Sequence, residues 1–258
     1  MPMSFRFLNL SVSSWFVAYG NWLFKYRNSV FPVVMLAMFL VFRPVLAGGN
    51  PGNDGVLDQL GLFVAACGQM LRAAVIGYAY IKRGGVNKRV HAEELVTQGF
   101  FAHVRNPLYV GNLLILVGLL LIHNNPWVYV IGSLFFVTAY LAIVAAEETF
   151  LMRKFGAEYA EYCAQVNRWL PDLRGLPQTL GEMEFNWRRV VLKDYASCYA
   201  WVITALLLMY YEVLVHVGVR YSAQRAVIVL TWGAVATAAF LLVRFLKKRR
   251  ILREYPDG

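Results

Sequence analysis

Two stretches of the 258-residue chain bring together residue types that bind charged small molecules. The first reads Glu93-Glu94-Leu95-Val96-Thr97-Gln98-Gly99-Phe100-Phe101-Ala102-His103-Val104-Arg105-Asn106-Pro107-Leu108-Tyr109. Asn106 is a good helix N-cap residue, and Pro107 suits the first helical position. Arg105 and Asn106 therefore stand at the positive end of the helix that follows. Free backbone N–H groups, the helix dipole and a guanidinium converge there, and such a place favours a carboxylate or a phosphate.

The second stretch begins Glu147-Glu148-Thr149-Phe150-Leu151-Met152-Arg153-Lys154-Phe155-Gly156 and runs on through Glu158, Tyr159, Glu161 and Tyr162 to Arg168, Trp169 and Pro171. Its two adjacent carboxylates end an apolar run. After them Leu151, Phe155, Tyr159, Tyr162, Val166 and Trp169 recur every three or four residues. That stripe suits the membrane surface or the cover of a pocket. Positive charge on one stretch and negative charge on the other suit a zwitterionic ligand that carries a sulfonium. Its carboxylate would go to Arg105 and the helix start. Its ammonium, ribose hydroxyls or adenine amine would go to Glu147 and Glu148. The alternative is a flanking arginine paired with two snorkelling carboxylates at the interface, and the residues alone leave both open.

The elements that must hold these residues are membrane helices. The chain is 59% hydrophobic and only 16% charged, where a soluble domain has about 45–50% and about 25%. This excludes an ordinary soluble enzyme, a disordered chain and a collagen-like one. Apolar runs cover 29–47, 56–81, 108–122, 127–146, 195–217 and 226–246. Spanning the hydrocarbon takes roughly 20 helical residues, and most of these runs suffice. They are too long and too uniform for barrel strands. The expected fold is all-α and polytopic, with about six transmembrane helices and a cytoplasmic amphipathic helix. The run 108–122 is short, and only His123, Asn124, Asn125 and Pro126 separate it from the next. The two form a tight helical hairpin. Its cytoplasmic ends are neighbours, so Arg105 to Tyr109 face Glu147 and Glu148.

The net charge of +10 needs no nucleic acid to explain it. Of the 25 Lys and Arg residues, 21 fall in the N-terminal segment, the 82–107 and 147–194 connections and the C-terminal end. Arg43, Arg220 and Arg225 hold the other side, and Arg72 lies within a run. This asymmetry puts both termini in the cytoplasm and predicts an integral protein of the cell (inner) membrane. No small-residue cleavage site follows a short apolar core near the N-terminus, so no cleavable leader is expected. Phe5, Phe7, Leu8, Trp15, Phe16 and Trp22 suit a segment at the interface. Cys67, Cys163 and Cys198 have no redox or metal-ligand spacing, and His91, His103, His123 and His216 make no HxxxH or HExxH pattern, so no metal site is expected. Arg72 points into the bundle for a partner or pairs structurally with a carbonyl or carboxylate. Glu212 and His216, one turn apart, suit interfacial solvation towards the outer end.

The segment L-V-T-Q-G-F-F-A-H-V-R-N-P-L-Y-V-G, residues 95–111, resembles the R-H-P-x-Y motif and upstream L-V-T-x-G-x-Y of the isoprenylcysteine carboxyl methyltransferase family, which is related to the phospholipid N-methyltransferases. E-E-T-F-L-M-R-K-F-G-A-E-Y-A-E-Y at 147–162 resembles its second signature. The two flank a helical hairpin in the family's order, over roughly residues 60–171. The joint pattern is specific; either half alone is weak.

The resemblance implies membrane enzymes that take a methyl group from S-adenosyl-L-methionine. It implies that Leu95, Val96, Phe101, Arg105, Asn106, Pro107, Leu108 and Tyr109 line the cofactor, with Glu147 or Glu148 as its carboxylate partner. Glu93 falls where the isoprenylcysteine enzymes have a His, Phe101 replaces a Tyr, and Asn106 replaces the motif His. These departures bear on the acceptor more than on cofactor contact. The expected reaction is methyl transfer to a membrane lipid or lipidated acceptor. A phospholipid amine is the alternative acceptor, and a non-catalytic membrane scaffold or lipid-binding protein of the same fold is the alternative role. Arg105, Glu147, Glu148 and His103 are the candidate catalytic residues; a carboxylate acceptor needs no base, whereas an amine or hydroxyl does. Three regions follow: an N-terminal segment 1–28, a methyltransferase core 29–171, and an extension 172–258 with two membrane helices. Tyr195, Tyr199 and Trp201 of that extension lie at the cytoplasmic level of an expected acceptor gap.

Overall fold

The computed structural model describes residues 13–78, 92, 94–218 and 223–252. Eight α-helices follow one another among them: α1 (Ser14–Val41), α2 (Pro51–Tyr78), α3 (Pro107–His123), α4 (Pro126–Phe155), α5 (Ala157–Gln165), α6 (Leu176–Gly181), α7 (Trp187–His216) and α8 (Ala223–Lys248). There is no strand among the described residues. Helices α1, α2, α4, α7 and α8 are long and apolar enough to cross a membrane, and α3 is a shorter apolar helix. Each of the six expected runs falls mainly on a helix among the described residues, the first leaving it after Val41. The first helix starts well before its run: Trp15, Phe16, Trp22 and Arg27 belong to the same 28-residue helix as the apolar residues after them. At 1.5 Å per residue that helix is about 42 Å long, more than the hydrocarbon, so its first turns have length to spare for the interface.

Helix contacts are set by small residues. Without a hydrophobic drive between helices in lipid, close backbone approach and packing bring them together. A Cβ on Gly68 would lie 2.6 Å from the Gly111 carbonyl oxygen, and one on Gly61 would lie 2.6 Å from that of Gly118. Each helix carries its pair of glycines seven residues apart, so α2 and α3 meet along two turns of backbone contact. Gly20 does the same for α1 against Ala142 of α4. Around these seams Phe39, Leu119, Ile122, Val128, Phe136 and Leu208 form a buried core that joins α1, α3, α4 and α7.

The hairpin between α3 and α4 is as tight as expected. Asn124 takes a left-handed conformation at φ 44°, and Asn125 caps α4 by accepting from Trp127 N at 2.9 Å. Both asparagines also hold the α1–α2 connection, through the carbonyls of Val45 and Arg43, each at 2.7 Å. This fastening fixes the hairpin end and leaves the opposite ends of α3 and α4 side by side.

Helix α8 has no buried residue. It packs on α7 through Tyr199 stacked on Phe240 at 4.5 Å and through a hydrogen bond between Tyr199 and Thr237 at 3.1 Å. Apolar exposure of this kind is what lipid solvates.

Candidate functional site where α3 begins and α4 runs into α5

Two turns aim the motifs at each other. Gly99, at φ 61°, enters the 3-10 turn Gly99–Ala102 that precedes α3, and Gly156, at φ 54°, turns the chain from α4 into α5. Backbone hydrogen bonds then lace the two segments: Arg105 N donates to Asn167 O at 2.8 Å, and Asp172 N to His103 O at 3.0 Å. Side chains repeat the pattern. The Tyr162 hydroxyl donates to Phe101 O at 2.7 Å, and Asn106 Nδ2 donates to Arg168 O at 3.1 Å. Burial pushes the Tyr162 hydroxyl above its ordinary range, so it stays a donor.

The facing charges form one ion cluster. Arg105 Nη1 lies 3.0 Å from Glu148 Oε1 and donates to Cys163 Sγ at 2.8 Å. Glu148 is shared: Arg168 Nε donates to the same oxygen at 3.0 Å, and Arg168 Nη2 binds the other. Arg105 Nε is buried and has no partner. Glu147 faces elsewhere. Successive residues point about 100° apart on a helix, so the two carboxylates serve different neighbours. The Tyr109 hydroxyl donates to Glu147 Oε1 at 2.8 Å and accepts from Arg27 Nη1 at 2.9 Å. Tyr109 in turn packs on Tyr140, ring centroids 5.4 Å apart.

The other expected site residues spread around this cluster. Pro107 is buried at the first position of α3, and Leu95, Val96, Phe101, Asn106 and Leu108 are half-buried beside it. Asn106 stands at the N-cap, but its side chain makes no capping bond and is spent on Arg168 O. His103 turns away from the carboxylates: Nδ1 lies 2.6 Å from Asp172 O and Nε2 lies 3.0 Å from Thr179 Oγ1. Hydrogen bonds from Arg174 hold the exposed Asp172 carboxyl down to about 2. Glu93, with His91, lies outside the described residues. The stripe after Glu148 faces inward: Tyr159 and Tyr162 are buried on α5, and Leu151, Phe155, Val166 and Trp169 are half-buried, whereas Met152, Arg153 and Lys154, off the stripe, are exposed.

Three residues entered the site without notice from the sequence. Arg27 reads there as a flanking charge, Cys163 as a structural thiol, and Arg168 as one more loop cation. Nothing in local spacing connects any of them to Arg105 or Glu147. All three cysteines are free, and among the described residues no group of three or more His, Cys, Asp or Glu is placed to hold a metal ion.

Comparison with known proteins points the same way as the motifs. The family described as phospholipid methyltransferase matches residues 59–158. A protein-S-isoprenylcysteine O-methyltransferase of Tribolium castaneum is 32% identical over 127 residues, 46% of this chain and 43% of that protein. A probable protein-S-isoprenylcysteine O-methyltransferase of Oryza sativa subsp. indica is 31% identical over 118 residues, 45% of this chain and 61% of the rice protein. The cobalt-zinc-cadmium resistance protein CzcN of Cupriavidus metallidurans is 30% identical over 164 residues, 60% of this chain and 68% of that protein. The chain thus spans less than two thirds of the insect and rice relatives. No solved structure matches it.

Proposed function

Because the chain belongs to the phospholipid methyltransferase family, we propose that it transfers a methyl group from S-adenosyl-L-methionine to a carboxylate on a lipid or lipid-anchored acceptor at the cytoplasmic membrane face. The observation that carries this reading is the ion cluster formed where the two motifs meet. The buried, partnerless Nε of Arg105 supports the fit of the cofactor, since a buried donor without an acceptor is costly and a ligand carboxylate supplies one.

When bound, S-adenosyl-L-methionine supplies an electrophilic methyl on a sulfonium. An acceptor oxygen forms the new bond to carbon as the carbon–sulfur bond breaks, leaving a methyl ester and a neutral thioether. Arg105 holds the amino-acid carboxylate, and Arg168 keeps Glu148 paired while it does so. Glu147, oriented by Tyr109 and Arg27, faces positive charge on the ligand. The apolar ends of α3 and α4 exclude water, so catalysis rests on positioning and desolvation. A carboxylate acceptor asks for no base, which agrees with His103 being committed to Asp172 O and Thr179. The family's own description favours a second acceptor, a phospholipid amine, for which Glu147 is the candidate base.

Titration of the purified chain in detergent with S-adenosyl-L-methionine tests the cofactor. Binding that R105A weakens is expected, and absence of binding sinks the reading. Labelled cofactor incubated with membrane lipid extract then separates base-labile esters from stable methylamines. Both termini are proposed to be cytoplasmic, in the cell (inner) membrane. Reporter fusions at Gly258 and within 48–55 should report opposite sides, and a same-side result would remove one crossing.

A further inference from the structure

A second polar network lies inside the bundle, outside the ion cluster. Arg72 of α2 and Asp194 of α7 form an ion pair whose side chains are 4% and 2% exposed. Gln69 Nε2 donates to the other Asp194 oxygen at 2.8 Å, and Trp201 Nε1 donates to Gln69 Oε1 at 3.0 Å. These contacts tie α7 to α2. Arg72 does more than close the pair. Its stem crosses the face of Gly111, where a Cβ would stand 2.6 Å from Arg72 Cγ, and its Nη1 donates to Asn112 Oδ1. Asn112 stands three residues after Tyr109 on α3, about one turn along the same helix, and Tyr109 donates to Glu147.

Asp194, Arg72 and Asn112, continued along one turn of α3 to Tyr109 and Glu147, therefore join α7, which lies beyond the matched residues 59–158, to the proposed site. Arg72 has a rigid fork, so Asp194 on one prong sets where the other prong meets Asn112. We propose that Asp194 is a positioning residue: through Arg72 and Asn112 it orients Tyr109 and Glu147, so that α7 is part of the machinery of the site and not only an anchor.

A purely structural pair behaves differently from a positioning one. Replacing a buried ion pair with apolar side chains of similar volume is often neutral or stabilising. R72M/D194M thus removes the orientation of Asn112 while giving α2 and α7 apolar contacts. The full-length chain is compared with R72M/D194M and N112L in detergent, with E147Q as the reference that assigns the Glu147 carboxyl band in the infrared difference spectrum. R72M/D194M is expected to keep the thermal midpoint yet shift the Glu147 band. N112L, which leaves Arg72 and Asp194 paired, is expected to shift it too. An unmoved band in either folded variant overturns the proposal.

The kinetic arm rests on the proposed methyl transfer. There both variants lower kcat about tenfold while the cofactor Kd is unchanged. Equal kcat in a folded variant also overturns the proposal. A wild-type chain that neither binds cofactor nor transfers methyl overturns the proposed function instead, and the infrared arm still decides the positioning role.

Discussion

Arg72 and Arg105 each face a carboxylate on another helix, and their surroundings make the two pairs do different work. Arg72–Asp194 is sealed, with both side chains almost wholly covered. Arg105–Glu148 lies near the start of α3, a boundary between bundle and surface, with side chains 14% and 15% exposed, and Glu148 has a second arginine whose side chain is 44% exposed. In the sealed pair each charge depends on its partner, because no water replaces it. In the boundary cluster the partners are redundant. A pair that cannot be exchanged holds structure; a pair with a spare member can admit a ligand.

Substitutions test that contrast, and the largest effect belongs to the sealed pair. Arg72→Ala leaves the buried Asp194 carboxylate without its countercharge and is expected to cost about 3–5 kcal/mol of stability, read by denaturation in detergent, with R72M/D194M recovering most of it. Mild destabilisation by R72A would mean that water reaches Asp194 and that the contrast is false.

Next comes the split between the adjacent glutamates. Glu147→Gln keeps the shape of the Tyr109 contact but removes the charge that faces the ligand's positive charge, and cofactor binding about ten- to a hundredfold weaker, with transfer falling alongside, is expected. Glu148→Gln should tighten cofactor binding and leave transfer intact, because a ligand carboxylate then displaces no charge from Arg105. If both substitutions are mild in transfer and in binding, the carboxylates are an interfacial stop.

Arg105→Ala is expected to weaken cofactor binding by about 1.5–3 kcal/mol, roughly ten- to a hundredfold, with the fold intact. Equal loss of stability and affinity would make Arg105 a structural residue like Arg72. The smallest effect belongs to Arg168→Ala. An exposed partner contributes about 0.2–1 kcal/mol, so stability measured in the same way should barely move. A larger drop would mean that Arg168, and not Arg105, holds Glu148.

Much of the architecture is legible in the sequence because its signals are local. The Asn124-Asn125-Pro126 turn announces the hairpin, and the hairpin in turn requires Arg105 and Glu148 to be neighbours. What escapes depends on packing between distant segments. Asp194 stands 122 residues from Arg72, and only the seating of α7 against α2 brings them together. Arg27 looks like a cytoplasmic flank because a charge near the start of an apolar run normally snorkels. It turns inward because Gly20 lets α1 approach α4 at backbone distance. Asn106 shows the opposite failure: the local capping signal is correct in position, but a tertiary acceptor, Arg168 O, takes the side chain.

The sharing of Glu148 between two arginines has a kinetic consequence. In the proposed reaction, substrate and spent cofactor carry the same amino-acid carboxylate, so any grip on that group holds both equally and does nothing for the chemical step. A lone arginine would bind both tightly, and departure of the product would set the pace of turnover. Here an arriving carboxylate displaces Glu148 from Arg105 while Arg168 retains it, so one charge pairing is exchanged for another. The net gain is the difference between two similar contacts. In that proposed cycle Glu148 would reclaim Arg105, and its return would speed the exit of the thioether product.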